Sequence, residues 1–557
     1  MWHAIVIDKF NKINKEVITM KKAKKYAAIL LAVLMIATAF TACGGGDNGG
    51  DGKVVMNVAL AGDIVRLDPA FAYDNDTSIV IDNICEGLLC HDENNALKCN
   101  LAESWEAADP TTYVYHLRQD VKFSDGSDMT VDDVVYSLQR HMDENLGSYM
   151  NWFFENVESI EATGDYEVTV KLSQPDANWQ YVLATSAGMI VKKDYAEEKG
   201  EDFGSADGGI IGTGPFKYES WTSGSKVVLT KNENYWDSSA KTNVDEIDFS
   251  IISDDTTLST ALKSGQIDMA ANFSTNLLDT LHGYDNVTVC DNPGMGIHYI
   301  AFNTAREPFD DINVRKAISY AIDIDSISDN IVKETGTKGG QLPMTDSLFT
   351  VEPERWQEYV ESLPGHVYDL EKAKEYMAKS SVPEGFSCNV LVSQADSQRY
   401  DVALVLQQSL SQIGIDVEVV SVTSDELYSY QFGNILDKDG VRDYDMLVAT
   451  WGADYPDPSG NLYPLYTTSN IGAGGYNCAS YSNKTVDELL SKASVTVDNT
   501  ERMDLLFEVC DIITEDEPYY VYNYTRNFAV ISNDYDYGDM SIGSAWDWNF
   551  KNMVCQK

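Results

Sequence analysis

One short stretch carries residue types that could hold a charged ligand, Trp451-Gly452-Ala453-Asp454-Tyr455-Pro456-Asp457-Pro458. It follows residues 444–450, a mostly apolar run whose pattern predicts a buried strand. Loops at strand ends are common ligand sites in α/β sheets, and an aspartate there would supply a fixed negative charge. The alternative is a turn in which the carboxylate only caps backbone groups beside solvent.

The sequence lacks the short motifs of the common enzyme classes. It contains no GxxxxGKS or GxxxxGKT phosphate loop, no HExxH zinc motif and no GxSxG nucleophile motif. Residues 437–440 resemble the start of a calcium loop but lack the remaining ligand spacing. His298 stands in an apolar run, which favours a packed or hydrogen-bonded side chain over a metal ligand. We therefore predict a protein that is not an enzyme and that holds no metal or cofactor.

The elements upstream of the Asp454 loop predict the sheet that positions it. Residues 388–392 and 415–422 read as strands, and the segment between them has apolar residues at helical spacing. A strand–helix–strand unit of this kind predicts two parallel strands. Earlier in the chain, residues 54–60 predict a strand and residues 78–89 a helix, and Thr130 with Asp133 predicts a capping box.

Short motifs over nearly the whole chain occur in an order typical of one family. They include Leu101-Ala102-Glu103-Ser104-Trp105, Phe123-Ser124-Asp125-Gly126, Gly212-Thr213-Gly214-Pro215-Phe216 and Asn232-Glu233-Asn234-Tyr235-Trp236. Each motif is weak alone, but together they resemble the extracytoplasmic solute-binding proteins of ABC importers, family 5, the peptide-binding class. The resemblance implies an α/β, two-lobed periplasmic-binding-protein fold of the large peptide-binding class.

The resemblance also implies how the chain is divided. Lobe I would be discontinuous, over 53–90, 210–293 and 533–557, and residues 91–209 would form an extra α+β subdomain in it. Lobe II would be 294–532. The chain crossings near Pro293 and Asn533 would then form a hinge on which the lobes close.

In peptide-binding relatives, a loop like this one supplies the carboxylate that pairs with the α-ammonium of the ligand. The resemblance therefore implies that Asp454 has this role. Trp451 and Gly452 fall on neighbours that bond the peptide backbone or wall a side-chain pocket, and Tyr455 completes the motif. A buried ammonium needs such a fixed opposite charge.

The opposite wall of the site is expected near Tyr73 and Asn75, where relatives line the cleft. Relatives that fix ligand length place a basic residue against the carboxylate end. Arg399 is the nearest candidate for that residue here, and a role on a helix surface is the alternative. The peptide length is therefore open at this stage.

The implied function is a receptor that captures short peptides and delivers them to the ABC permease of the same importer, as a monomer. One alternative is the same fold with another ligand, such as an oligosaccharide, opine, nickel chelate or haem. A second is an exported enzyme of unknown type, which the missing motifs disfavour, and a third is chemoreception or pheromone sensing with the same fold.

The start of the chain predicts export. Residues 20–43 combine four lysines, an apolar run and small residues before Cys43, as in a lipoprotein signal peptide with its lipobox. The glycine-rich residues 44–52 would form a tether. We expect an extracytoplasmic protein held at the cell membrane only by lipid on Cys43. A plain secretory signal is the alternative, and Met20 is a better start than Met1.

Composition excludes one class of partner. The formal net charge of −48 disfavours nucleic acid, which requires a basic face. Nine cysteines are present, including Cys43, and none forms a CxxC pair. The other eight could be buried thiols or disulfides, and the sequence does not decide between them.

Overall fold

The structure is a computed structural model that describes residues 52–538 and 548–557. Cys43, the signal segment and all of the tether except Gly52 lie outside these residues. Within the described ranges, no helix is both long enough and apolar enough to cross a bilayer.

Strands and helices alternate through most of the described chain. The strands are β1 Val55–Leu60, β2 Leu89–His91, β3 Leu97–Cys99, β4 Ala102–Asp109, β5 Thr112–Leu117, β6 Val157–Gly164, β7 Glu167–Leu172, β8 Phe216–Thr222, β9 Lys226–Lys231, β10 Glu246–Ile251, β11 Met269–Ala271, β12 Val287–Phe302, β13 Gly336–Lys338, β14 Phe386–Ser393, β15 Ile415–Val422, β16 Met446–Gly452, β17 Tyr519–Ser532, β18 Tyr535–Asp536 and β19 Val554–Cys555. The α-helices are α1 Asn75–Ile81, α2 Val131–Gln139, α3 Trp179–Val182, α4 Lys193–Lys199, α5 Asp255–Ser264, α6 Leu278–Leu281, α7 Ile312–Ala321, α8 Ile324–Ile327, α9 Pro353–Ser362, α10 Leu370–Lys379, α11 Ser397–Ser411, α12 Ser424–Gln431, α13 Ser459–Tyr466, α14 Lys484–Ser494 and α15 Asn499–Asp516.

One mixed sheet of 11 strands forms the framework of the molecule. Its order is β15-β14-β16-β12-β17-β11-β1-β10-β9-β8, and β13 pairs with β17 outside this path. β14 and β15 are parallel and are joined by α11, so the predicted strand–helix–strand unit is confirmed. β14 also runs parallel to β16, which carries the Asp454 loop at its end.

Two long strands, β12 and β17, pair with each other in the middle of this sheet and divide it into two halves. In the half that contains β14, β15 and β16, β12 pairs with β16. In the half that contains β1 and β8–β11, β17 pairs with β11. The β12–β17 register is irregular between Pro293 and Ile297. A Cβ on Gly294 would lie 2.5 Å from the Thr525 hydroxyl oxygen, so this close approach requires glycine. The fold is therefore α/β and two-lobed, with a bulged two-stranded ribbon between the halves.

The long strand β12 also shows why one half of the sheet is buried on both faces. Ile297, Tyr299 and Ala301 enter one hydrophobic cluster, while Ile300 and Phe302 enter another. This alternation follows from the period of two residues in a strand.

A second sheet, antiparallel and in the order β4-β5-β7-β6, has its own hydrophobic core. α2 packs on it through Val134 and Leu138, both fully buried. The Thr130 side chain accepts a hydrogen bond from the Asp133 backbone nitrogen, and the Thr130 backbone nitrogen donates to the Asp133 carboxylate, which confirms the predicted capping box.

The helix predicted over 78–89 is wrong in its second half. α1 ends at Ile81, and residues 83–84 instead accept backbone hydrogen bonds from Gly214 and Phe216. Long-range pairing therefore overrides the helical spacing of apolar residues, and the chain goes on into β2.

Candidate ligand-binding site

The loop after β16 is fixed at both ends. β16 ends at Gly452, and the Ala453 backbone nitrogen donates to the Met295 carbonyl of β12 at 3.5 Å. Pro458 then caps the start of α13, because its fixed φ suits a helix start. Asp454 thus lies in a short connection between a buried strand and a helix.

Asp454 meets Tyr73, which lies 381 positions earlier in the chain. The Tyr73 hydroxyl donates to Asp454 Oδ1 at 2.7 Å. Burial raises the pKa of the Asp454 carboxyl above its ordinary value, and the Tyr73 hydrogen bond opposes part of this shift. Burial, together with the Asp454 charge, also raises the pKa of Tyr73, so its hydroxyl stays protonated as a donor. Two of the predicted site residues are thus brought together.

The Asp454 carboxylate lacks a cationic partner in the described part of the chain. No lysine, arginine or histidine there lies within ion-pair distance of it, and its Oδ2 receives no hydrogen bond. Taking an unpaired carboxylate out of water is costly. The arrangement therefore favours a ligand that brings a positive charge.

Tyr73 and Asp454 line one cavity of about 130 Å³. The other lining residues all come from positions 72–189 and 549–551, so Asp454 covers the cavity from the other side of the molecule. Its ionisable lining includes Asp82, Glu86, His91, Lys98, Asp454 and Lys551. The cavity therefore offers both signs of charge to a small polar ligand.

Glu86 is a lining carboxylate whose hydrogen bonds are already satisfied. It accepts hydrogen bonds from Thr213 at 3.0 Å, Tyr235 at 2.9 Å and Trp236 at 2.8 Å. Burial raises its pKa, and these donors act in the opposite direction. Glu86 thus connects the segment after α1 to the motifs at residues 212–216 and 232–236, and it holds that wall of the cavity in place.

The second carboxylate of the loop, Asp457, is used inside the protein. It forms a buried two-pronged ion pair with Arg502 of α15, in which Arg502 Nη1 donates to Asp457 Oδ1 at 2.9 Å. The Ser459 backbone nitrogen also donates to Asp457 Oδ1. Asp457 therefore holds the loop, while Asp454 keeps a free oxygen.

Trp451 and Gly452 lie beside the cavity rather than in its lining. The Trp451 ring packs 4.7 Å from Tyr476, and its Nε1 donates to the Gly460 carbonyl at 3.2 Å. Gly452 is exposed and faces open space. β14 pairs with β16 only at Met446 and Leu447, so the far half of β16 has an edge that no described strand pairs. That edge could accept an extended chain.

Tyr455 and Asn75, also predicted at the site, are placed elsewhere. Tyr455 stacks on Tyr181 at 5.5 Å and contacts Phe153 at 6.4 Å, so its ring joins the core of the second sheet. Asn75 is the first residue of α1, after the cap Asp74. Neither side chain lines the cavity.

A comparison with protein-family models identifies the chain. Residues 96–473 match the model described as bacterial extracellular solute-binding proteins, family 5, middle. The chain belongs to this family.

As a family 5 solute-binding protein, the chain is a transport protein and not an enzyme. It is 28% identical over 465 residues to the glutathione-binding protein GsiB of Escherichia coli (strain K12), covering 83% of this chain and 87% of GsiB. The structure also resembles DppA of Helicobacter pylori in complex with the peptide STSA, with TM-score 0.71 and 26% identity over 90% of this chain and 98% of DppA. AppA of Bacillus subtilis, in complex with a nonapeptide, shares the fold with TM-score 0.69 and 23% identity over 91% of this chain and 100% of AppA.

Other candidate positions of this family 5 protein have structural roles. The His298 ring nitrogen Nδ1 lies 3.2 Å from Asn523, and burial lowers the pKa of His298 to about 4. Arg399 pairs with Asp396 of its own helix start at 2.7 Å and does not line the cavity. Within the described ranges, no three His, Cys, Asp or Glu side chains group as metal ligands. Among the described cysteines, the free thiols include Cys85, Cys99, Cys290, Cys388, Cys478, Cys510 and Cys555.

Sequence reasoning missed the hairpin β2–β3, which supplies His91 and Lys98 to the cavity of this binding protein. The polar run Asp92-Glu93-Asn94-Asn95 between two short apolar runs could have predicted the turn. Nothing in the sequence places that hairpin opposite Asp454, because the contact joins distant parts of the chain.

Proposed function

We propose that this family 5 protein is the extracytoplasmic receptor of an ABC importer and captures short peptides between its lobes. One observation carries the proposal. Asp454 is a partly buried carboxylate without a cationic partner among the described residues, and it faces a cavity that the other side of the molecule encloses. The α-ammonium of a peptide supplies the missing charge.

The main chain of the ligand has a surface to pair with. On the edge of β16 that β14 leaves unpaired, the Thr450 carbonyl accepts from Gln431 Nε2 at 3.0 Å, whereas the exposed Gly452 leaves its backbone accessible two positions before Asp454. Backbone pairing gives affinity without reading side chains, so different peptides are accepted. Trp451 and Tyr476 offer aromatic surface to a ligand side chain there.

The relatives support a peptide ligand. GsiB is named for binding glutathione, and DppA is seen with a tetrapeptide. Both ligands carry a free α-amino group, which is the group that Asp454 would bind. We extend this ligand chemistry to the present protein.

Transport requires release as well as capture. A bound peptide touches both lobes and stabilises their closed arrangement, which the permease then recognises. The bulged β12–β17 ribbon, with Pro293 and Gly294, is where the two halves would bend. We expect a monomer, since one chain supplies both walls of the cavity.

Our proposal includes the membrane anchor: lipid on Cys43 would hold the protein at the outer face of the membrane, with the glycine-rich sequence of residues 44–52 between the lipid and the folded chain. A lipoprotein amino terminus carries more than one acyl chain, which stable anchoring requires. Fractionation of cells that produce the Cys43→Ala variant tests this anchor. The variant should leave the membrane fraction, and an unchanged membrane fraction would contradict it.

The test of the binding role is the variant Asp454→Asn. Native mass spectrometry of the protein purified from cells first identifies a bound peptide, and calorimetry then measures that peptide. We expect Asp454→Asn to lower its binding free energy by about 2–5 kcal/mol, because the ammonium loses its charged partner. The N-acetylated peptide should bind wild type and variant equally.

The matched control is Asp439→Asn, since Asp439 is exposed and does not line the cavity. It should bind the peptide like wild type. Equal affinity of wild type and Asp454→Asn for the free peptide would refute the assignment. A co-purified sugar or metal chelate in place of a peptide would refute the function.

A further inference from the structure

The second sheet is fastened to the half of the molecule that contains β1. Arg140, which follows α2, forms a buried ion pair with Asp68, and its Nη2 donates to Asp68 Oδ2 at 2.7 Å. The Tyr149 backbone nitrogen donates to the Ala70 carbonyl at 2.9 Å. Asp68 and Ala70 lie in the segment between β1 and α1. We therefore expect the second sheet to move with the β1 half when the lobes open and close.

Tyr455 reaches this second sheet from the other half of the molecule. It follows Asp454 in the loop after β16, and its ring stacks on Tyr181 with 5.5 Å between the ring centroids and 18° between the planes. The Phe153 ring lies 6.4 Å from it. Phe153 belongs to the hydrophobic core of the second sheet, and Tyr455 packs against that core. Two consecutive residues of one loop thus serve different places, since Asp454 lines the cavity and Tyr455 joins the second sheet.

The partner ring of Tyr455 is held firmly. Tyr181 lies on the short helix α3, whose Trp179 is buried in the core of the second sheet. Trp179 Nε1 donates to the Tyr115 hydroxyl of β5 at 3.0 Å. The Tyr181 ring therefore has a fixed position relative to the second sheet, and Tyr455 can pack on it only when the two halves are together.

Hydrogen bonds between the two sides surround the aromatic contact. The Tyr181 hydroxyl lies 3.1 Å from the Thr350 hydroxyl. The Ser459 hydroxyl, at the start of α13, donates to Asn178 Oδ1 at 3.1 Å. The contact thus combines an apolar centre with a polar rim, as interfaces between separately folded parts do.

Separation of the halves must break this contact and expose its rings to water, which is unfavourable. Neither Tyr455 nor Tyr181 lines the cavity, so their contact does not depend on which ligand is bound. A contact present only in the closed arrangement shifts the open–closed equilibrium towards that arrangement. The apparent affinity of every ligand then changes by the same factor, because it depends on the fraction of molecules that can close.

We propose that Tyr455 is the positioning residue of a closure latch, formed by the rings of Tyr455, Tyr181 and Phe153. The latch holds the Asp454 loop against the second sheet and keeps Asp454 within reach of Tyr73. It sets how strongly the halves close, whereas Asp454 determines which ligands are bound. The inference rests on the lobe closure of the proposed function and assigns part of its free energy to a contact outside the cavity.

The test removes one ring of the stack at a time. Tyr455→Leu and Tyr181→Leu each keep an apolar side chain, and Tyr455→Phe keeps the ring as the conservative variant. Phe153 stays unchanged because it also lines the cavity. The matched control is Tyr166→Leu, since Tyr166 is 41% exposed in the turn between β6 and β7 and does not line the cavity. Urea unfolding shows which variants are folded, and either leucine variant gives the readouts if the other unfolds.

Small-angle X-ray scattering measures the ligand-free proteins, and calorimetry measures trialanine and N-acetyltrialanine. We expect both leucine variants to have a larger ligand-free radius of gyration than wild type, and saturating trialanine to restore the liganded wild-type value. Both peptides should bind about fivefold more weakly, so the preference for a free amino terminus stays. The double variant Tyr455→Leu/Tyr181→Leu should lose little more than either single one, because both changes remove the same contact. Tyr455→Phe and Tyr166→Leu should behave like wild type.

An unchanged ligand-free radius in both leucine variants would overturn the latch, even if their affinities fall. A loss confined to one of the two peptides would also overturn it, since Tyr455 would then act at the ammonium site. Unfolding of both leucine variants would show that the contact maintains the fold instead of setting closure. If Asp454→Asn still removes the preference for a free amino terminus, peptide capture stands in each of these cases and only the latch fails. Wild type that binds neither peptide would refute the peptide function, and the ligand-free radii would still decide on the latch.

Discussion

Asp454 is the residue on which ligand capture is argued to depend, and its surroundings predict a pH response. Burial raises its pKa above the ordinary aspartate value of about 3.9, so protonation begins at a higher pH than in water. The neighbouring Tyr73 and Tyr476 both have raised pKa values and stay neutral over this range. The titration near the ammonium site therefore belongs to Asp454.

We expect peptide affinity to be constant above this raised pKa and to fall as the pH is lowered through it. The sign follows from the chemistry, since only the ionised carboxylate binds an ammonium strongly. Calorimetry of trialanine between about pH 4 and about pH 8, a range that starts near the ordinary pKa of aspartate, measures the change in affinity. Asp454→Asn should lose the pH dependence. A variant with the same dependence would assign it to another group, such as Glu86.

At the residue scale, the sequence predicted the position of Asp454 at a strand end but not its partners. The buried run before it and the prolines after it are local features. Tyr73, Lys98 and His91 reach the same cavity through contacts between segments hundreds of residues apart, which no local pattern encodes. The ligand roles of Trp451, Gly452, Tyr455, Tyr73 and Asn75 stay predictions.

The loop that carries Asp454 is held in place by the buried ion pair of Asp457 and Arg502. Both side chains are almost fully buried, at 0% and 3% exposure. We expect Arg502→Met to lower the free energy of unfolding by about 3–5 kcal/mol, because Asp457 keeps a buried charge without its cation. Urea unfolding measures the change.

The control for this prediction is Glu501→Gln, which breaks the exposed pair with Lys492 in the same helix region. Exposed pairs contribute less than about 1 kcal/mol, so this variant should unfold almost like wild type. Equal losses of unfolding free energy in the two variants would show that burial does not make the Asp457–Arg502 pair more stabilising than an exposed pair.

At the element scale, local patterns predicted strands and helices correctly where the periodicity of apolar residues is not opposed by contacts with distant parts of the chain. The strand–helix–strand unit of β14, α11 and β15 is confirmed because apolar periodicity and chain length agree there. The segment 78–89 is mispredicted because Asn83 binds the Trp548 and Phe550 backbones far along the chain. β12 extends through Pro293 and Gly294, residues that locally indicate an interruption.

For the whole molecule, the fold class was predicted by family resemblance and is confirmed by the two-lobed relatives. The lobe borders stay predictions, since β12 and β17 belong to both halves of the sheet. One hydrophobic cluster draws on β1, on β8–β11, on residues 189–210 and on residues from Ala529 onward, so it is built from segments far apart in the chain.

The proposed closure of the two lobes on the ligand gives a prediction for the whole molecule. We expect saturating trialanine to reduce the radius of gyration of wild type in small-angle X-ray scattering, because the ligand bridges Asp454 and the opposite wall. Asp454→Asn at the same peptide concentration should stay at the ligand-free value. An unchanged radius for wild type that calorimetry shows to be saturated would argue against hinge closure.

The long strand β17 has a consequence for how the protein is made. β11 lacks its neighbour until residues 529–531 have been synthesised, and the core beside β1 lacks Trp548, Phe550 and Met553 until later still. The half of the molecule that leaves the ribosome first is therefore completed last. For the export that we propose, this delay would keep the early segments from locking into a finished lobe before the rest of the chain has crossed the membrane.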